Sequence, residues 1–174
     1  MAAADCLARC LASYSPALCN PSLAHTPDSF FISWNTTAGV FKTEHHRTDS
    51  PHGVDRLYLL VTNNYFDHNS FYRTIDSWVS QFGVSPDPDL NCVFEQKLPG
   101  AVIPDDPVLK GTSNKKGWMA FSAEYGEDGV ATNRTSELFI NLNDNTQLDA
   151  AGFSLIGKVV EGYEGTVAKL YSGY

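Results

Sequence analysis

Seven short stretches of this chain alternate β-branched or aromatic residues with polar ones, and that period of two constrains the fold more than any other feature. Phe30–Trp34, Val40–His45, Ser70–Ile75, Trp78–Phe82, Trp118–Ser122, Leu138–Leu142 and Leu155–Val160 all read as strands. Only two segments carry helical spacing. One opens at Ser50-Pro51, as cap and first position, with Val54, Leu57, Tyr58 and Val61 at i, i+3, i+4 and i+7. The other runs through Tyr163, Val167, Leu170 and Tyr171 and closes at Ser172-Gly173. Many short strands with two helices predict an all-β barrel or sandwich whose openings the helices cover, since closure removes exposed strand edges.

The chain of 174 residues has the length of one domain, and 43% hydrophobic residues suffice for a core. Its net charge of −8 and the lack of any basic cluster larger than Lys115-Lys116 disfavour nucleic acid and anionic lipid as partners. The longest aliphatic and aromatic run, Leu57 to Val61, is far shorter than the roughly 20 residues of a transmembrane helix.

Residues 1–29 read as an amino-terminal arm, because Asp5, Arg9, Ser13 and Pro16 interrupt what would otherwise resemble a signal peptide. Cys6, Cys10 and Cys19 lie in this arm and Cys92 far from it, forming neither a metal knuckle nor a dense disulfide framework, so the redox compartment stays open. The triplets Asn35-Thr36-Thr37 and Asn133-Arg134-Thr135 have the glycosylation pattern, which matters only in a secretory lumen. Between Val84 and Gly117 fall five of the nine prolines, predicting a long ordered loop across the surface.

Metal and nucleophile chemistry find little support. Glu44-His45-His46 with Asp49 and His52 offers ligand types, but strand alternation sends His45 and His46 to opposite faces and leaves no closed ligand set. No phosphate-cradling glycine loop or nucleophile elbow occurs in a strand-turn-helix setting.

Several motifs, in order, resemble the cyclophilin-type peptidyl-prolyl isomerases over roughly residues 30–174. Ser50 through Val61 is similar to the family's first helix and Asn64-Tyr65-Phe66-Asp67 to its exit. Ser70-Phe71-Tyr72-Arg73-Thr74-Ile75 followed by Trp78-Val79-Ser80-Gln81-Phe82-Gly83 is similar to the catalytic strand pair. Ile103 to Val108, Ser113 to Gly117, Glu137 to Asn141 and Leu148-Asp149 continue the correspondence. The resemblance implies a closed eight-stranded antiparallel barrel capped by two α-helices, working without a cofactor on proline-containing polypeptides.

Isomerising an Xaa-Pro bond means breaking amide resonance against a barrier of about 18–20 kcal/mol, with no covalent step. A catalyst needs an apolar pocket for the proline ring and a fixed donor aimed at the imide nitrogen, whose lone pair is free only in the twisted transition state. By resemblance Arg73 is that donor and Gln81 orients it, while Phe71, Trp78, Val79, Phe139 and Leu148 form the pocket wall, with Ser122 and Glu137 beside the groove. Without that resemblance, an arginine in an aromatic strand is a surface residue with a snorkelling stem, and the aromatics are core.

The groove also departs from the family. Glu137 replaces the usual glutamine, Ser122-Ala123 replaces an Ala-Asn or Ala-Thr pair, and Tyr125 to Asn133 is longer and more acidic than the usual turn. Gln147 takes the place of the tryptophan tied to cyclosporin sensitivity, which implies weak drug binding. From its position, Glu137 is expected to pair with Arg73 and lower turnover. These departures keep a second reading open, in which the barrel is a binding or structural subunit engaging a larger assembly through residues 1–29. The resemblance is greatest to secreted and organelle-lumen members, and it implies further residues beyond Tyr171-Ser172-Gly173-Tyr174.

Overall fold

The computed structural model describes residues 3–21, 26–95 and 97–173; residues 1–2 and 22–25 of the expected arm lie outside them. Two helices, α1 (Ala3–Ser13) and α2 (Pro16–Cys19), precede the β hairpin of β1 (Ser29–Thr36) and β2 (Gly39–His46). Next come α3 (Pro51–Thr62), β3 (Arg73–Ile75), β4 (Val79–Phe82) and α4 (Pro88–Glu95). The chain continues through β5 (Trp118–Phe121), β6 (Glu124–Tyr125), β7 (Ala131–Thr132), β8 (Leu138–Asn141), α5 (Gln147–Ala150) and β9 (Leu155–Glu161).

The fold is mainly β. Seven strands form one antiparallel sheet in the order β1-β2-β9-β5-β8-β4-β3, and β6 and β7 form a separate hairpin. Each of the seven predicted strands has its counterpart, although Ser70–Ile75 pairs only over Arg73–Ile75 because Phe71 turns toward the core. Among the described residues β1 and β3 remain unpaired on their outer edges. A cavity of about 880 Å³ lies beside them, lined by β1 from Ile32 to Thr36, by Ser70 and Phe71 ahead of β3, and by Leu170 and Tyr171.

Alternation sorts the side chains of the sheet into two faces. Thr74, Ser80, Ile140 and Met119 stand opposite one another across four strands, and all are buried. Ile140 and Met119 join Trp34, Phe41, Phe82, Phe121 and Ile156 in the main core, where Val54 and Leu57 dock α3. At two residues per period His45 faces inward and is fully buried, while the His46 side chain remains 46% exposed.

Three local expectations are corrected. Ser50 precedes α3, with Pro51 at the first position, but its side chain makes no cap. Its hydroxyl donates instead to the Leu155 carbonyl at 2.7 Å, and the helix is capped by Asp106, which accepts from the His52 and Gly53 amides at 3.1 and 2.8 Å. The second helix reduces to a 3₁₀ turn over Val167–Lys169, since Gly162 adopts φ +79° and the following carbonyls close a tight turn. The proline-rich loop contains α4, started by Asp87, whose carboxylate accepts from the Asp89 and Leu90 amides, with Pro88 at the first position. Its Leu90, Val93 and Phe94 lie on one buried face.

The four cysteines form two disulfides, Cys6–Cys92 and Cys10–Cys19. The first ties α1 to α4, and an ion pair from Arg9 to Asp89 and a hydrogen bond from Tyr14 to Asp87 run beside it. Around these bridges Leu18, Leu60, Tyr65, Leu90, Val93 and Phe94 form a second core, so the amino-terminal segment is packed on its own chain. The sequence was ambiguous here because connectivity depends on where α4 sits. Arg56, fully buried on α3, donates to the Gly100, Ala101 and Thr135 carbonyls. Burial lowers its pKa to about 10.

Candidate active site

Arg73, Gln81, Phe139 and Ala120 stand directly opposite one another on β3, β4, β8 and β5. Opposed residues share a face, so this row lies on the side of the sheet away from the Thr74–Met119 row. The antiparallel register therefore places a guanidinium, a carboxamide and an aromatic ring side by side from three separate segments.

Arg73 donates to the Gln81 carboxamide oxygen, and its guanidinium lies 5.2 Å from the centre of the Trp78 ring. Gln81 in turn donates to the Ser122 hydroxyl at 3.0 Å. The arginine is thus held on its flank and on one face, leaving donors of its planar fork available.

Beside this relay lies an apolar cluster of Val79, Ala120, Ala131, Phe139, Leu148 and Phe153. Phe139 and Phe153 meet edge to face at 5.6 Å. The position of Phe153 is set by polar bonds around it: the Asn114 carboxamide donates to its carbonyl at 2.9 Å, and the Arg134 guanidinium lies 5.8 Å from its ring. Burial works to raise the Asp149 pKa, but bonds from Ser113 and Asn114 outweigh it and hold the carboxyl below its ordinary value. These bonds tie α5, which carries Leu148, to the 113–114 loop.

The structure gathers Arg73, Gln81, Trp78, Val79, Ser122, Phe139 and Leu148 into this region, keeps Glu137 at its border beside Gln81 and Ser122, and leaves Phe71 elsewhere. Phe71 packs on Phe82 at 4.8 Å and lines the large cavity, separate from the Val79–Phe139–Leu148 cluster. Glu137 does not pair with Arg73: its carboxylate accepts from the Tyr72 hydroxyl. Tyr72 thus takes up the Glu137 carboxylate while the neighbouring Arg73 bonds to Gln81. Burial first, and then the bond to Glu137, raise the Tyr72 pKa well above its ordinary value.

Two participants were missed in the sequence. Phe153 is separated from Phe139 by a loop and a helical turn, and only its aromatic character after Gly152 marked it. Tyr72 lay beside Arg73 without any local sign of its partner. A smaller hollow of about 340 Å³ adjoins the relay, with Gln81, Ser122 and Glu137 on one side and Phe94, Glu95 and Lys97 on another. Gly83, just beyond β4, has φ +109°, and a Cβ there would sit 2.5 Å from the Ser136 carbonyl oxygen, so only glycine lets β4 approach this wall.

A family model described as cyclophilin type peptidyl-prolyl cis-trans isomerase/CLD matches residues 31–172. The chain is 26% identical over 145 residues to a peptidyl-prolyl cis-trans isomerase of Acinetobacter baylyi, covering 81% of this chain and 72% of that one. It is 25% identical over 133 residues to peptidyl-prolyl cis-trans isomerase 10 of Caenorhabditis elegans, covering 76% and 77% respectively. In structure it is similar to a cyclophilin type peptidyl-prolyl cis-trans isomerase of Cryptosporidium parvum, with a TM-score of 0.66, 19% identity and coverage of 82% and 83%. The chain belongs to the cyclophilin-type peptidyl-prolyl cis-trans isomerase family.

Proposed function

We propose that this protein isomerises Xaa-Pro bonds with Arg73 as the donor to the imide nitrogen, assisting the folding of proline-containing polypeptides. The observation that carries this assignment is the cross-strand row: Arg73, clamped by Gln81 and Trp78, adjoins an apolar cluster through Phe139. The proline ring enters the cluster of Val79, Phe139, Leu148 and Phe153, and the guanidinium bonds to the nitrogen lone pair as the amide twists. Because that lone pair exists only in the transition state, the bond lowers the barrier without tightening ground-state binding. Gln81 limits the motion of the arginine, Ser122 limits the motion of Gln81, and Trp78 forms the outer wall. The chain's own residues supply all of this chemistry, with no cofactor required.

The same reading assigns the isomerase domain to residues 30–174 and residues 1–29 to an amino-terminal extension, whose described helices α1 and α2 dock on it. A partner engaged through that segment draws no support, since Cys6, Cys10, Leu18 and Cys19 are already buried in the second core. We also infer that one added strand closes the sheet into an eight-stranded barrel, supported by the unpaired edges of β1 and β3 beside one cavity.

The test is the cis-trans exchange rate of a short Xaa-Pro peptide with the unmodified protein and with Arg73→Ala. Acceleration by the former that falls by about 10²-fold or more in the variant supports the assignment. Equal acceleration by both, with circular dichroism unchanged, would remove Arg73 from the role.

A further inference from the structure

We propose that Asn35 is an N-glycosylation site and that the protein matures in an oxidising compartment where that modification occurs. Two independent observations meet in this assignment. The first is redox chemistry: Cys6–Cys92 and Cys10–Cys19 are both closed, leaving no free thiol among the described residues. Cys6, Cys10 and Cys19 are fully buried in the second core, so the bridges are built into the fold. Structural disulfides form and persist in secretory and other oxidising lumens.

The second observation is the different geometry of the two Asn-x-Thr triplets. Asn35 is exposed on β1, an edge strand, and its carboxamide forms no hydrogen bond among the described residues. Thr37 is exposed in the turn to β2. Between them Thr36 anchors the turn, donating to the Gly39 carbonyl at 2.8 Å and accepting from the Ala38 amide at 3.2 Å. The middle residue is therefore engaged, while the asparagine and threonine that define the acceptor pattern face solvent.

Asn133 is also exposed, but it is engaged. Its carboxamide donates to Glu124 at 3.0 Å, and it follows the β6–β7 hairpin in a left-handed conformation with φ +58°. The middle residue, Arg134, is buried and bonded to Asp105 and to the Ala131 and Gly152 carbonyls. Asn133 also lines the hollow shared with Gln81 and Glu137, where a glycan would crowd Gln81 and Ser122. Asn35 lines the cavity on the β1 side and lies outside the catalytic row.

In the modification a transferase brings Nδ2 of Asn35 to C1 of an oligosaccharide carried on a polyprenyl pyrophosphate. The Nδ2–C1 bond forms as the bond from C1 to the pyrophosphate oxygen breaks. Nδ2 releases one proton, and the lipid pyrophosphate leaves with the bonding electron pair.

The full 174-residue chain, placed behind a cleavable secretory leader and expressed in a eukaryotic cell with a reporter glycoprotein, tests the assignment. Treatment with peptide N-glycosidase is expected to shift the secreted protein by one glycan. Asn35→Gln and Thr37→Ala should abolish the shift, whereas Thr37→Ser and Asn133→Gln should retain it. An unshifted protein beside a shifted reporter would overturn the proposal, as would a shift that survives Asn35→Gln.

Discussion

Arg73 and Gln81 are direct cross-strand partners, and the guanidinium bonded to that carboxamide also covers the face of Trp78. A planar fork makes both contacts at once and keeps further donors free in a fixed geometry, which the point charge of lysine does not reproduce. Arg73→Lys is therefore expected to lower kcat/KM for an Xaa-Pro peptide by roughly 10²-fold, about 2.7 kcal/mol. Retained activity in the lysine variant would mean that charge alone suffices and that the clamped fork is incidental.

The Tyr72–Glu137 contact makes a spectroscopic prediction. Burial and the adjacent carboxylate both disfavour the phenolate, so neutralising the carboxylate should lower the Tyr72 pKa. Glu137→Gln is expected to move the corresponding ultraviolet titration step downward while leaving turnover within about twofold, because Arg73 has its own partner. A large gain in turnover with no change in that step would restore Arg73 as the carboxylate's partner.

His45 gives stability a pH dependence. It is fully buried, and because the Ile156 carbonyl can only accept, Nδ1 donates to it at 2.7 Å while Nε2 accepts from Thr43 at 2.6 Å. Burial, reinforced by His46 and opposed by the Ile156 bond and Glu44, lowers the pKa from 6.5 to about 4. The unfolded chain thus binds this proton more readily. Stability is full above pH 6.5 and declines as pH falls through about 4, by about 3 kcal/mol in all. Urea midpoints from pH 7.5 to 4 should show this slope, and His45→Gln should flatten it; identical slopes would assign the dependence elsewhere.

The Cys6–Cys92 bridge joins residues 86 apart in sequence. Closing a loop of that length restricts the unfolded chain enough to stabilise the fold by about 4–5 kcal/mol. The double substitution Cys6→Ala, Cys92→Ala should lower the unfolding free energy by that order, far more than Asp89→Ala, which removes only the half-exposed ion pair to Arg9. Equal losses from the two would show that the cross-link adds little.

Asp106 accepts from two amides at the start of α3, so Asp106→Ala should cost about 1–2 kcal/mol. Ser50→Ala should not shorten the helix, since its hydroxyl is bonded to β9. Chemical denaturation of both variants distinguishes the two caps.

Strand positions were legible because a half-buried strand writes its exposure at every second residue, as in Ile32 and Trp34 or Thr43 and His45. The α3 helix was legible from Val54 and Leu57 for the equivalent reason at a longer period. The α4 helix was overlooked because Pro86 and Pro88 read as loop residues, although Asp87-Pro88 with Leu90, Val93 and Phe94 is itself a helix start. Arg73 and Gln81 were singled out by resemblance and the structure pairs them across a short hairpin, but Phe153 and Tyr72 depend on segments far away in the chain.

By itself the sequence determined the strand positions and the first long helix, because periodicity is a local property, and its ordered motifs carried the family resemblance through which Arg73 and Gln81 were singled out. Tertiary structure decided the partner of Glu137, the placement of Phe71, the cap from Asp106 and the disulfide pairing. Each of these depends on which distant backbone supplies an acceptor, a donor or a packing surface, and two residues become neighbours only when the sheet and its covering helices have assembled.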